Sequence, residues 1–305
     1  MTESPLVTIV TPLYNKATHF PVTIQSVLSQ TYGNWEWVIV DDGSTDGSNT
    51  LVPRNDPRVR LYRHSHAGPA AARNIGLDLA RGQFITFLDA DDELLTSKIA
   101  KQMSALLRHE DCGWAICGFQ RIERNGARRD ELPSLVGAAP SHGAIRRLDD
   151  AFRQMSHEGL HVDTLLLRAE VGKRLEGFRQ EMRCFEITEY VVRLLLGVPR
   201  GLVLEEALVH VHDVPGSAFK DLRGRTEGFR QIAETYRSLA LKYPEKAAEL
   251  DRSAARSLLC HSESLVMEGK WTEALEFLRH GYAGPRGVAY WKEVARTFLR
   301  RMSRS

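Results

Sequence analysis

The sequence predicts an α/β fold, a parallel-rich sheet flanked by helices, followed by an all-helical C-terminal extension. Two observations carry this. In the first hundred residues, four short apolar runs alternate with helical patterns, as in βαβ units with right-handed crossovers. Two of those runs, Trp35–Val40 and Phe84–Leu88, also end in acidic clusters: Asp41-Asp42-Gly43-Ser44 and Asp89-Ala90-Asp91-Asp92-Glu93. Ligands of open α/β sheets sit just beyond the carboxyl ends of the strands, so both clusters should face one crevice. Carboxylates at close quarters repel unless a cation lies between them. The expected occupant is a divalent metal with a phosphorylated ligand.

Taken in order, Leu6–Val10 reads as the first buried strand, closed by Thr11-Pro12, with Leu13-Tyr14-Asn15-Lys16 as the loop at its carboxyl end. Phe20, Ile24, Val27 and Leu28 recur at helical spacing and predict a helix over Phe20–Gln30. After the second strand, Ser44-Thr45-Asp46 can cap a short helix. Val59–Tyr62 alternates as a third strand. The small-residue turn at Gly68-Pro69 leads into a helix through Ala80, and Gly82 stops it before the fourth strand.

Lys98–Leu107 is again helical, and Trp114–Ile122 reads as a strand. Arg124–Ser141, with Gly126, Pro133, Gly137 and Pro140, reads as a loop. Ala151–Glu158 and Glu186–Leu196 read as helices, the second with Tyr190, Val191, Leu194 and Leu195 on its core stripe. From about Thr226 the pattern is wholly helical, which places a domain boundary at 222/223. Trp271–Leu278 faintly resembles one unit of a helical repeat, but a single copy is better read as part of a helical hairpin.

Bulk properties limit the alternatives. The chain has 305 residues, 43% of them hydrophobic, enough for a sizeable core. A net charge of +2 argues against a dedicated nucleic-acid binder. The four cysteines (Cys112, Cys117, Cys184, Cys260) match neither zinc nor redox spacing and read as reduced, buried thiols. There is no basic n-region with an apolar h-region, and no run approaches the length of a membrane span. The expected location is therefore cytoplasmic, with at most a weak peripheral association with the inner membrane face through the basic C-terminus (Arg296, Arg300, Arg301, Arg304).

Five segments, in order and at the right spacing, resemble the family 2 glycosyltransferases, which have the GT-A fold and include inverting enzymes. They are Val7-Thr-Ile-Val-Thr-Pro-Leu-Tyr-Asn-Lys16, Ser29-Gln-Thr-Tyr32, Trp37-Val-Ile-Val-Asp-Asp-Gly-Ser-Thr-Asp46, Gly68-Pro-Ala-Ala-Ala-Arg-Asn-Ile-Gly76 and Phe87-Leu-Asp-Ala-Asp-Asp92. The resemblance is close over the first hundred residues, thins past Cys117 and is gone past about Phe219. It implies that Pro12 and Tyr14 line a nucleotide pocket with Asp41. Asp42 would accept a hydrogen bond from the imide N3–H of uracil or thymine, since a carboxylate only accepts. Arg73 would lie near the nucleotide. Asp89-Ala90-Asp91 matches the Asp-X-Asp signature that holds ribose and a Mg²⁺ or Mn²⁺ bridging the diphosphate. Val209-His-Val-His212 with Ser217 resembles an element that closes over the diphosphate, which makes His212 a third metal ligand beside Asp89 and Asp91.

The resemblance also implies a general base, usually an Asp in a Glu-Asp pair at a helix start. Glu186 stands at the family's Glu, but Ile187 occupies the place of the Asp, and isoleucine cannot take a proton. Glu186, Glu189 or Glu181 then serves as base, with Glu186 preferred. The expected function is metal-dependent, inverting transfer of a sugar from a UDP- or dTDP-sugar to a hydroxyl acceptor, lipid-linked or in surface polysaccharide biosynthesis. The alternative is a sugar-nucleotide-binding or scaffold protein that has lost its base. A sugar-nucleotide nucleotidyltransferase would open with a basic, glycine-rich phosphate loop, where Thr11-Pro12-Leu13-Tyr14-Asn15 stands. A dinucleotide dehydrogenase would carry Gly-X-Gly-X-X-Gly after the first strand, and none is present.

Overall fold

The computed structural model describes residues 4–155, 160–182, 184–214 and 222–276. Two compact units divide them: Met1–Gln180 with Glu186–Pro215, and Glu181–Phe185 with Gly216–Ser305.

The first unit is built on one ten-stranded mixed sheet. Its path runs β3 (Val59–Arg63), β2 (Trp35–Asp41), β1 (Val7–Leu13), β4 (Phe84–Phe87), β9 (Leu165–Arg168), β6 (Trp114–Ile122), β10 (Gly201–His212) and β5 (Glu93–Leu94). β7 (Arg128–Glu131) pairs with β6, and β8 (Ile145–Leu148) pairs with β10. The first four strands are mutually parallel, as the alternating pattern predicts; β9 enters antiparallel between β4 and β6. β1 lies between β2 and β4, and six of its seven residues are buried. That two-sided burial explains its continuous apolar run.

The helices of this unit are α1 (Phe20–Leu28), α2 (Pro69–Leu79), α3 (Lys98–Arg108), α4 (Ala151–Gln154), α5 (Ala169–Arg174) and α6 (Glu186–Gly197). α2 packs against β1 so closely that a Cβ on Gly76 would stand 2.2 Å from Val10 Cγ1, so only glycine fits there. The core joins Val7, Ile9, Trp37, Ile39 and Phe84 on the sheet to Phe20, Ile99, Met103 and Leu106 on helices.

Several sequence expectations are corrected. β1 runs on through Thr11 and Pro12 to Leu13; the proline is tolerated because it lies beyond Val10, the last residue paired with β4, where only β2 continues the ladder. The stretch read as a loop contains β7, which forms a hairpin with β6 on the polar pairs Gln120–Asp130 and Arg121–Glu131; hydrophobic periodicity is blind to such a strand. The helix read over Ala151–Glu158 ends at Gln154, where Met155 bridges to Leu135; residues 156–159 lie outside the described residues. The short helix after Asp46 is a single 3₁₀ turn, Ser48–Thr50, led by Gly47, and Asp46 accepts from the Ser48 amide.

The second unit carries α7 (Leu222–Lys242), α8 (Ala247–Met267) and α9 (Trp271–Glu276). α7 and α8 pack through Ile232, Ala233, Tyr236, Leu250, Ala254 and Leu258. The Thr226 hydroxyl donates to Glu268, and a His261 ring nitrogen meets the Thr226 carbonyl at 2.7 Å. Ser217 and the C-terminal arginines lie outside the described residues, and no described helix is long and apolar enough to cross a membrane.

Candidate active site

Parallel pairing of β1 with both neighbours brings the carboxyl ends of β2, β1 and β4 to one edge of the sheet. The loop after β1 is tied to both acidic clusters. Asn15, in the left-handed region at φ 48°, accepts from the Thr45 amide, and the Ala17 amide donates to Asp46. Lys16 reaches the other way, with Nζ 2.6 Å from Asp91 Oδ2.

On the β2 side, Pro12 is half-buried and Tyr14 is exposed, its ring stacked on His66 with centroids 4.2 Å apart. Asp41 is buried and accepts from the Ser44 amide, Asn49 and Arg63. Burial alone would raise the Asp41 carboxyl; these hydrogen bonds outweigh it and hold the group below the usual range. Asp42 is also buried. It accepts from the Ala67 and Gly68 amides at 2.9 and 2.8 Å and faces His66 Nδ1 at 3.0 Å, so it braces the turn that presents His66. A carboxylate has about four lone-pair sites, which leaves room for one more donor.

On the β4 side, Asp89, Asp92, His161 and Asp163 each offer a ligand atom, all within 4.8 Å of one another. His161 and Asp163 come from the 3₁₀ turn Val162–Thr164 and the residue before it, leading into β9. The Asp89 amide donates to Asp163 Oδ1 at 3.1 Å and locks the two segments together. Asp92 and Asp163 are both buried, with carboxylate oxygens within 4.8 Å of each other. Burial, then the charges of Asp163, Asp91 and Asp89, pushes Asp92 well above the usual carboxylate range. Burial and Asp89 push Asp163 up to about 6. Two buried carboxylates this close repel each other, and a cation seated between them would relieve both.

The residues expected to hold metal are thus distributed differently. Asp89 belongs to the cluster. Asp91 instead pairs with Lys16, and His212 Nε2 lies 2.6 Å from Glu93 Oε1 while its backbone amide donates to Asp92. Ala90 is buried between the aspartates.

Arg73 is buried, and its guanidinium joins two carboxylates: Nη2 to Asp89 Oδ1 at 2.6 Å and Nη1 to Glu186 Oε1 at 3.2 Å. Glu186 opens α6, and burial raises its carboxyl in spite of the neighbouring Arg73. Glu189 is committed elsewhere: Arg193 Nε and Nη2 hold both of its oxygens at 2.7 Å. Glu181 is an exposed residue of the second unit. Of the three acids weighed as base, Glu186 is the one joined to the acidic cluster, through Arg73.

Sequence reasoning missed His161, Asp163, Lys16 and His66. For Lys16 and His66, adjacency to Tyr14-Asn15 and to the Gly68-Pro69 turn was a usable signal. For His161 and Asp163 there was none: they stand some seventy residues from Asp89, in a segment without a motif.

Comparison with known proteins adds to this geometry. The profile of Glycosyl transferase family 2 matches residues 8–156. Over 132 residues the chain is 34% identical to a Bacillus subtilis protein that carries the name teichuronic acid biosynthesis glycosyltransferase TuaG, covering 42% of this chain and 52% of that protein. Over 106 residues it is 42% identical to the Escherichia coli UDP-Glc:alpha-D-GlcNAc-diphosphoundecaprenol beta-1,3-glucosyltransferase WfgD, covering 34% and 42%. The chain spans about half the length of the relatives it matches. Among solved structures it is similar to Staphylococcus aureus TarS 1-349 in complex with UDP (TM-score 0.60, 20% identity, 84% of this chain and 71% of that one). It is also similar to the Pyrobaculum calidifontis mannosyltransferase PcManGT in complex with GDP-Man and Mn²⁺ (TM-score 0.56, 19% identity, 97% and 85%). At these identities the likeness concerns the fold, which is the expected GT-A type of α/β sheet with a helical C-terminal extension.

Proposed function

We propose that this chain, whose residues 8–156 belong to glycosyl transferase family 2, transfers a sugar from a nucleotide-diphosphate sugar to a hydroxyl acceptor with inversion and with the help of a divalent cation. One observation carries the reading: a buried carboxylate at a helix start, Glu186, is wired through Arg73 to the cluster of Asp89, Asp92, His161 and Asp163.

The cluster fits a cation. Three carboxylates and an imidazole converge, and burial raises two of the carboxyls, Asp92 and Asp163, a strain that a bound metal would relieve. Asp89, Asp92, His161 and Asp163 would hold it. The imidazole favours Mn²⁺ over Mg²⁺, which prefers oxygen ligands alone. When bound, such an ion supplies Lewis-acid stabilisation to a leaving nucleoside diphosphate.

The chain's own residues do the rest. Tyr14, backed by His66, offers a face for a base to stack on, and the one remaining acceptor site of Asp42 suits the N3–H of uracil or thymine. Pro12 and Asp41 line the same pocket. Lys16, paired with Asp91, would offer its ammonium to a diphosphate. Glu186 takes the acceptor hydroxyl's proton; its raised carboxyl is a better base than an exposed glutamate, and Arg73 opposes that rise. The relatives named for teichuronic acid and for a diphosphoundecaprenol acceptor support a lipid-linked or surface-glycan acceptor. Action in the cytoplasm, at the inner membrane face, accords with such an acceptor.

Ile187 favours one alternative, a sugar-nucleotide-binding protein without turnover. The test is nucleoside diphosphate release from a panel of UDP-, dTDP- and GDP-sugars with Mn²⁺, with and without acceptor mixtures. Turnover that falls by about 10²–10⁴-fold in Glu186→Gln at unchanged donor affinity supports the transferase. Donor binding without turnover in the native chain supports the alternative.

A further inference from the structure

Lys98 has no part in the chemistry described above, yet it is among the largest fully buried side chains of the chain. It forms no ion pair with a carboxylate among the described residues. Burial pushes its ammonium down to about 8. A buried cation without a carboxylate partner is costly, and a methionine or leucine would fill the same volume without that cost. The cost must be offset by what the ammonium holds.

It holds backbone. Lys98 Nζ donates to Thr86 Oγ1 at 2.5 Å and to the Leu165 carbonyl at 3.3 Å. The Thr86 hydroxyl donates to the same carbonyl at 2.6 Å. One turn further along α3, the fully buried Gln102 donates through Nε2 to the Thr164 carbonyl at 2.8 Å. Residues four apart share a helix face, so Lys98 and Gln102 grip two consecutive carbonyls from one side. Those carbonyls directly follow Asp163. Thr86, the third member, lies three residues before Asp89 on β4.

We propose that Lys98 and Gln102 are positioning residues for the cation cluster: from α3 they clamp the Thr164 and Leu165 backbone so that His161 and Asp163 meet Asp89 and Asp92. The proposal rests on the cation reading of that cluster. The clamp acts through hydrogen bonds on backbone, one shell behind the ligands, where loss of a supporting partner typically costs 10–100-fold in metal affinity. A purely Coulombic role has the opposite sign, because removing a buried positive charge near the cluster would tighten cation binding.

Lys98→Met and Gln102→Leu in the full chain test this. Three quantities are measured: hydrogen exchange of the amides of residues 160–168 without metal, Mn²⁺ affinity by electron paramagnetic resonance, and thermal unfolding. The clamp predicts exchange in 160–168 faster by on the order of tenfold with exchange in α7 and α8 unchanged, and Mn²⁺ binding weakened by about 10–100-fold in both variants. Lys98→Met should keep a melting temperature near that of the native chain. Unchanged exchange in 160–168, or Mn²⁺ bound as tightly or more tightly in Lys98→Met, overturns the proposal. If Lys98→Met fails to fold, the uncharged pair Gln102→Leu and native chain decides on the same readouts. A native chain that takes up no Mn²⁺ overturns the cation reading alone, and the exchange measurement still decides on the clamp.

Discussion

Arg73 is the most informative residue to remove. Its guanidinium is buried between Asp89 and Glu186, with contacts of 2.6 and 3.2 Å. Arg73→Met keeps much of the aliphatic volume, including the side on Phe178, but leaves two carboxylates facing each other without a counter-charge. Removing one partner of a buried pair costs about 3–5 kcal/mol, because the charge left behind is desolvated and unpaired. For a unit of about 200 residues, each kcal/mol lowers the melting temperature by about 2–4 °C, so a fall of about 6–20 °C is expected.

The loss should depend on pH. Burial already raises Glu186, and Arg73 is the main force opposing that rise; Arg73 is likewise the first of the charges that hold Asp89 low against its own burial. Without Arg73 the folded pKa of Glu186 moves further above its unfolded value of about 4.3. A group raised in this way is fully stabilising below the unfolded value and loses that contribution as pH climbs to the folded one, at about 1.4 kcal/mol per pH unit. The variant's deficit should therefore be smallest near pH 5 and largest near pH 8, and Arg73→Met/Glu186→Gln should recover part of it. Urea unfolding at the two pH values measures this. A deficit under about 1 kcal/mol, or one equal at pH 5 and pH 8, would refute the placement of Arg73 as a buried bridge.

Two further outcomes follow from the same geometry. Mn²⁺ affinity, measured by calorimetry from pH 5 to 8, should rise with pH by up to about tenfold per pH unit for each displaced proton, because burial raises the carboxyls of both Asp163 and Asp92; a flat profile would contradict this. Gly76→Ala should destabilise the first unit by about 1–3 kcal/mol in urea, since the new methyl would lie 2.2 Å from Val10 Cγ1, and Val10→Ala in the same chain should relieve much of it; no effect of Gly76→Ala would mean that α2 can lift from β1.

Reading the site from sequence worked where chemistry and strand ends coincide. Asp41, Asp42, Asp89 and Asp91 lie at the ends of continuous apolar runs, so their shared sheet edge followed from the parallel topology. Tyr14 lies in the loop after β1 by the same logic. Reading failed for groups whose role depends on long-range packing. Asp163 reaches Asp89 because β9 enters antiparallel beside β4, a pairing that no local pattern announces. The pairing of Asp91 with Lys16 has the same kind of reason: which of three neighbouring acids face His161 is set by the turn after β4. β10 was invisible as a strand because its polar residues, among them Glu205, His210 and His212, are satisfied by Arg146 and Glu93 across the sheet.

The amino-acid sequence by itself determined the βαβ succession, the parallel order of the first four strands and the meeting of two acidic termini. These depend on hydrophobic period and turn chemistry, which act over a few residues. Tertiary structure alone decided which carboxylates are buried together, that Arg73 is a buried bridge to Glu186, and that Glu189 is spent on Arg193. Those outcomes depend on burial and on charges brought together from distant segments, and both quantities exist only once the chain has closed around them.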